Sequence, residues 1–252
     1  MPVLTRKFDS IFSRYRGAVP LNFVRALAYK ESRLNPDLAG GSYWGILQVG
    51  WGRTGPLKGY NERNGTNYTK YDLFDPDICT RIAMQTINRI VKAYDSWSGR
   101  YNIPNLKQDW RNPEYCKLVV AGWNSGYSRA GGVQFVAKKL AERGIRVTHD
   151  SVFERAQEVG GTKYLWIQRS KSARKYRWQR EMVSLYFNEG GPGPLDAGGL
   201  RLAGLEPYLP GLAIAGAAGL VGGVAGTMVD ALLVAATLGG VWWAVRDREL
   251  LG

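Results

Sequence analysis

Cysteine and histidine are scarce in this 252-residue chain, with two of the first and one of the second. Two cysteines are too few for a disulfide scaffold; Cys79 and Cys116 could pair in an oxidising compartment, although they sit in helix-like surroundings where thiols are ordinarily packed and free. The lone His149 has no second His or Cys at ligand spacing, so it reads as a surface or packed residue and implies no metal. Neither a Walker pattern nor a dinucleotide fingerprint occurs, so no cofactor is implied either. Sustained period-two alternation is missing, which argues against a β-rich fold, and so is any repeat of 20 to 50 residues. The N-terminus, Met1 to Ser10, lacks the apolar run of a secretory signal, so export by the general route is not expected.

Acidic residues are outnumbered, 21 against 34 basic ones, for a net charge of +13. The excess is uneven: residues 1–190 hold 31 basic and 16 acidic side chains, net +15, and residues 191–252 hold 3 and 5, net −2. A positive field of this size favours an acidic polymer, and nucleic acid, anionic lipid and bacterial wall all qualify. Nine Trp and fourteen Tyr exclude a disordered tail.

What is there is helical periodicity. Asn22 to Lys30 aligns Phe23, Leu27 and Lys30, with Pro20 suiting a start and Asn35-Pro36 a stop. Gly40 to Gly59, with seven Gly and scattered aromatics, reads as loop. From Asp77 to Tyr94 the apolar residues recur at helical spacing behind Asp75-Pro76-Asp77, a cap followed by a first-turn proline. Lys117 to Trp123 and Val133 to Arg143 predict two further helices around the loop Asn124 to Gly132. Residues 163–180 carry seven basic side chains and no acid, interleaved with Tyr164, Trp166, Tyr176 and Trp178. That stretch suits either a nucleic-acid or anionic-glycan surface or a solvated helix face whose aromatics turn into the core.

Beyond the Gly-Gly-Pro-Gly-Pro stretch at 190–194 the chain changes character. Between Pro207 and Val245 the only charged residue is Asp230, and Leu209 to Val229 is 21 residues without a charge. Such a run covers about 30 Å, one hydrocarbon core. Gly219 with Gly223 and Gly222 with Gly226 permit close helix approach, and Trp242, Trp243, Arg246 and Arg248 resemble an interfacial belt and anchor. A single tilted span and a hairpin turning near Asp230 both fit, as does a helical pair packed inside a protein assembly.

Glu31 is the only acid between Asp9 and Asp37, and it follows the apolar helix directly. A carboxyl there, facing a Gly- and aromatic-rich loop, is expected to be partly desolvated and to hold its proton more tightly. A general acid for glycoside cleavage needs that property. Glu31-Ser32, then Gly45-Ile46-Leu47-Gln48, then Leu73-Phe74-Asp75-Pro76-Asp77-Ile78, then Ala121-Gly122-Trp123-Asn124-Ser125-Gly126 stand in order. Together they resemble the signature of the soluble lytic transglycosylases of goose-type lysozyme-like fold: Glu-Ser, Gly-Leu-Met-Gln, Phe-Asp-Pro-acid and Ala-Tyr-Asn-Ala-Gly. The resemblance spans residues 20–132.

It implies that Glu31 is the catalytic acid that protonates the glycosidic oxygen between N-acetylmuramic acid and N-acetylglucosamine. The same residue then serves as base for a 1,6-anhydro product, without a second carboxylate. It further implies that Ser32, Gln48, Trp123 and Asn124 bind substrate, with Trp123 in the usual tyrosine position, retaining a stacking surface but no hydroxyl. Val49-Gly50-Trp51-Gly52 stands where the family often has Pro-x-Thr, and the late tyrosine that steadies the acid has three candidates, Tyr164, Tyr176 and Tyr186.

The expected architecture is therefore mainly α. A lysozyme-like domain fills 1–189 with a basic extension at 147–189, a Gly/Pro linker follows at 190–206, and a transmembrane helix or hairpin at 207–246 precedes a short tail at 247–252. The expected partners are peptidoglycan strands, a membrane through the C-terminal segment and other virion or ejection proteins, with nucleic acid the weakest. Without a cleavable signal, delivery in a bacteriophage particle would bring the enzyme to the wall and leave it anchored in the host envelope. The alternatives are a non-catalytic wall-gripping or membrane-channel virion component and a holin-dependent endolysin of lysozyme type.

Overall fold

The computed structural model describes residues 4–128, 130–170 and 173–191. The membrane segment expected at 207–246, its tail, and all but the first two residues of the expected linker lie outside them. The described chain is mainly helical, and none of its helices is long and apolar enough to cross a membrane.

Two helices form the frame. The 25-residue α4 (Pro76–Arg100) starts where expected, with the Asp75 carboxylate accepting from the Asp77 amide at 2.8 Å and Pro76 opening the first turn. Such a cap is worth about 1 kcal/mol. Its buried stripe, Cys79, Ile82, Ala83, Ile87, Ile90, Val91, Tyr94 and Trp97, runs past the expected end at Tyr94 because Trp97 continues the apolar face. Across it lies α5 (Pro113–Ser125), capped by Asn112 and buried on nearly every side from Tyr115 to Gly122. The helices approach so closely that a Cβ on Gly122 would stand 2.4 Å from the Tyr94 hydroxyl, which donates to the Leu118 carbonyl at 3.2 Å.

Around this pair stand α1 (Asp9–Tyr15), α2 (Leu21–Ser32), α3 (Pro56–Asn64), α6 (Val133–Glu142), α7 (His149–Arg155), α8 (Lys163–Ser170) and α9 (Ala173–Asn188). Two differences from the sequence reading bear on the site. The helix α2 does not stop before Glu31: it includes Glu31 and Ser32 and ends at Arg33, whose left-handed backbone (φ 59°) terminates it ahead of Asn35-Pro36. The supposed loop from Gly40 to Gly59 contains three two-residue antiparallel strands, β1 (Ala39–Gly40), β2 (Tyr43–Trp44) and β3 (Val49–Gly50), and the start of α3. Strands this short carry no readable alternation.

Residues 147–189 join the same core as the rest, through Val152, Phe153, Leu165, Met182, Val183 and Tyr186. The side chains of α9 follow the second alternative for the basic stretch. Arg174, Lys175 and Arg177 are exposed, while Tyr176 and Trp178 are half-buried against the core and Gln179 is buried. Tyr164, by contrast, is 71% exposed.

Candidate active site

Glu31 occupies the last turn of α2, half-buried, opposite the last turn of α5. The indole Nε1 of Trp123 donates to its Oε1 at 2.9 Å. An indole nitrogen only donates, so Oε1 is held as an acceptor, and a proton on this carboxyl belongs on Oε2. Trp123 thus supports the acid itself, whereas sequence reasoning gave it a sugar contact. The three late tyrosines are engaged elsewhere or exposed: Tyr176 donates to Asp150, Tyr186 to the Trp110 carbonyl at 3.1 Å, and Tyr164 faces solvent.

The other motif residues build the wall of the site. The Ser32 hydroxyl donates to the Ile46 carbonyl at 2.7 Å, tying α2 to the Gly45–Gln48 turn. Gln48 gives both amide hydrogens to backbone carbonyls, one to Gly45 in that turn and one to Leu38 just before β1, each at 2.9 Å. At 3% and 6% exposed these two side chains act as scaffold, and substrate contact expected from their donors is not available. Asn124 is half-buried and accepts at Oδ1 from Gln179 Nε2 at 3.4 Å, so its own amide nitrogen is oriented to donate.

The Gly45–Gln48 turn is tightly fixed. Gly45 has φ 81°, and a Cβ there would lie 2.0 Å from the Leu73 carbonyl oxygen, so only glycine fits. Beneath the turn, the Cys79 thiol contacts the Trp44 carbonyl at 3.8 Å; burial pushes its pKa up to about 12, and the nearby Glu31 charge adds to the rise. Among the described residues only Arg33, Leu34, Gln48 and Asn102 have positive φ without being glycine, and the first three flank Glu31 or its facing turn. Each costs of order 1 kcal/mol or more, and strain of this kind collects at functional sites.

Three features lay outside the sequence reading. First, α9 braces α2: Trp178 Nε1 donates to the carbonyl of Lys30 at 3.3 Å, Lys30 pairs with Glu181 at 2.9 Å, and Phe23 meets Tyr186 edge-on at 5.3 Å. Second, the buried His149 meets Gln179 Oε1 through Nε2 at 2.7 Å, so the packed alternative holds for His149 and its contact fixes the amide that faces Asn124. The helical spacing of Trp178, Met182 and Tyr186 was the available signal for this packing.

Third, an aromatic ledge continues from the turn. Trp44 stacks on Phe74 at 5.0 Å, and Trp51 and Tyr71 meet Trp44 edge-on. Lys70 Nζ lies 4.8 to 5.1 Å from the rings of Trp44, Trp51 and Tyr71. Tyr43, Trp51 and Tyr71 are exposed.

The acids paired with α2 are accounted for, Asp9 by Arg25 at 2.6 Å and Glu181 by Lys30. Among the described residues no group of three or more His, Cys, Asp or Glu is placed to hold a metal ion. What the arrangement offers chemically is one oriented carboxyl, a strained and rigid surround, and aromatic faces beside it. Comparison of the chain with protein-family models, curated proteins and solved structures finds no match, so the site is defined by Glu31 and the groups that hold it.

Proposed function

We propose that this chain is a peptidoglycan lytic transglycosylase with a lysozyme-like catalytic domain and Glu31 as its single acid and base. The observation that carries the proposal is the Trp123–Glu31 hydrogen bond at 2.9 Å, which orients a carboxyl within the motif set. Glu31 gives its Oε2 proton to the glycosidic oxygen as the bond from C1 of N-acetylmuramic acid breaks. The 6-hydroxyl of the same sugar then attacks C1, and its proton passes to Glu31. The 1,6-anhydro end forms with no water consumed, and the enzyme returns to its starting state.

One carboxylate suffices for this sequence, unlike the paired acids of hydrolytic glycosidases. The engagement of Asp9 and Glu181 by cations on α2 supports that choice. The Asn124 amide and the ledge of Trp44, Trp51 and Tyr71 would meet the glycan, the former by donating and the latter by covering sugar faces. The segment 207–246 is proposed to anchor the enzyme in the host membrane, and bacteriophage delivery would open the wall locally as the genome enters.

The test is mass spectrometry of soluble products after incubating the full chain, wild type and Glu31→Gln, with purified peptidoglycan. Anhydro-muropeptides from wild type alone support the proposal. Reducing-end products would make the enzyme a hydrolase, and absence of products with retention on sedimented wall would make it a binding component.

A further inference from the structure

The exposed face of α4 carries a groove separate from Glu31 and its immediate partners. Arg81, Gln85, Arg89, Lys92 and Ser96 follow one another at spacings of three and four, a stripe of about 22 Å along the helix. Two adjoining cavities open on it, of about 540 and 370 Å³, and both are lined by Arg89 and Lys92. No carboxylate lines either one. Arg81 is paired with Asp77 at 2.8 Å, whereas Arg89 and Lys92 have no ion-pair partner among the described residues. Arg63, which lines neither cavity, is bonded to Gln85 at 2.9 Å; burial and then the charge of Arg89 pull its pKa down, opposed by Glu62. Cations crowded without a counter-charge repel one another, and an anion bound among them removes that cost.

The remaining lining groups select the kind of anion. Asn88 gives its amide hydrogens to the carbonyls of Met84 and Arg16, and Gln134 donates to the Ala93 carbonyl. Asn88 Oδ1 and Gln134 Oε1 are left as acceptors with no donor among the described residues. The sugar–phosphate backbone of DNA has only acceptors to offer them, while a peptide offers backbone N–H groups along with carboxylates. The smaller cavity includes Tyr127 and Ser128, which directly follow the α5 terminus that carries Trp123 and Asn124. Each volume suits a short peptide segment.

We propose that this groove binds a short acidic peptide, with carboxylates on Arg89 and Lys92 and backbone amides on Gln134 and Asn88. Resting on the proposed function, that peptide is the stem borne by the glycan strand under cleavage.

The test is calorimetric titration of the full chain with a glycan-free stem tetrapeptide bearing free carboxylates, and with the same peptide amidated. The variants are the double substitution Arg89→Gln with Lys92→Gln, at exposed positions whose loss leaves the core intact, and Glu31→Gln. The expected result is binding of the free-carboxylate peptide by wild type and by Glu31→Gln alike. It weakens at least tenfold in the double variant and at least tenfold on amidation. Equal affinity of wild type and double variant, or no binding by wild type, overturns the proposal. So does an oligothymidylate that binds through Arg89 and Lys92 when the peptide does not. Peptide binding by a wild type that releases no wall products would remove the transglycosylase reading and leave the groove standing.

Discussion

Trp123 Nε1 and Glu31 Oε1 stand 2.9 Å apart, joining residues 92 positions distant in the chain. The bond closes the ends of α2 and α5 on each other and holds Oε1 as an acceptor. Trp123→Phe retains the ring and deletes the donor. A hydrogen bond to a charged group is worth about 1.5–3 kcal/mol, so kcat for product release falls about 10- to 100-fold. KM and Tm stay close to wild type, and a kcat equal to that of wild type would remove the positioning role.

Glu31→Gln removes the proposed proton donor while preserving shape. Product release is expected to vanish, with sedimentation on purified wall unchanged and a Tm within a few degrees of wild type. Residual turnover above about one per cent of wild type would assign the acid to another residue.

Gly45→Ala tests the rigidity of the turn. The added Cβ would meet the Leu73 carbonyl oxygen at 2.0 Å and force a left-handed backbone on alanine, so backbone must move. A loss of about 3 kcal/mol or more is expected, read as a fall in Tm. A wild-type Tm would show that the turn yields.

Glu114 links α5 to α7, accepting from Lys117 Nζ and from the His149 amide, each at 2.8 Å. Burial opposes its charge, yet Lys117 and the His149 amide outweigh burial and hold its pKa below the ordinary 4.5. The stabilisation is present above 4.5 and is lost as pH falls through the lower folded value. The unfolding temperature followed from pH 7 down to pH 3 should fall more steeply in wild type than in Glu114→Gln, whose remaining decline comes from other low carboxyls such as Asp77 and Asp150. Parallel curves for the two proteins would count against it.

Both thiols should resist modification. Cys79 is pushed up to about 12 by burial, and burial likewise raises Cys116. Labelling by a disulfide reagent at pH 8 should be slow in the native chain and reach two thiols per chain after denaturation. Immediate labelling of native protein would contradict the burial.

Where the sequence carried a local signal, the structure followed it. Asp75-Pro76 states the start of α4, and the apolar spacing from Ile78 onward states its buried face. Glu31, Ser32, Gln48, Trp123 and Asn124 are brought to one region, as the motif order suggests. The helix α2 runs past Lys30 through Glu31 and Ser32, which carry no apolar periodicity, and the left-handed turns at Arg33 and Leu34 that end it ahead of Asn35-Pro36 leave no mark in a sequence. The roles of Ser32 and Gln48 were illegible for a related reason: nothing local says that their donors end on backbone carbonyls. The brace of Trp178 on Lys30 and the reach of Gln179 to Asn124 depend on pairings across the whole chain.

The grip of Trp178 on the carbonyl of Lys30 spans 148 residues, which sets an order of events during synthesis. The helix bearing Glu31 leaves the ribosome early, but its clamp leaves only when α9 does. A nascent or prematurely terminated chain would present the carboxyl without the helix that seats it. Under the proposed function such fragments should be inert toward the wall, because activity would need synthesis to have passed Asn188, where α9 ends.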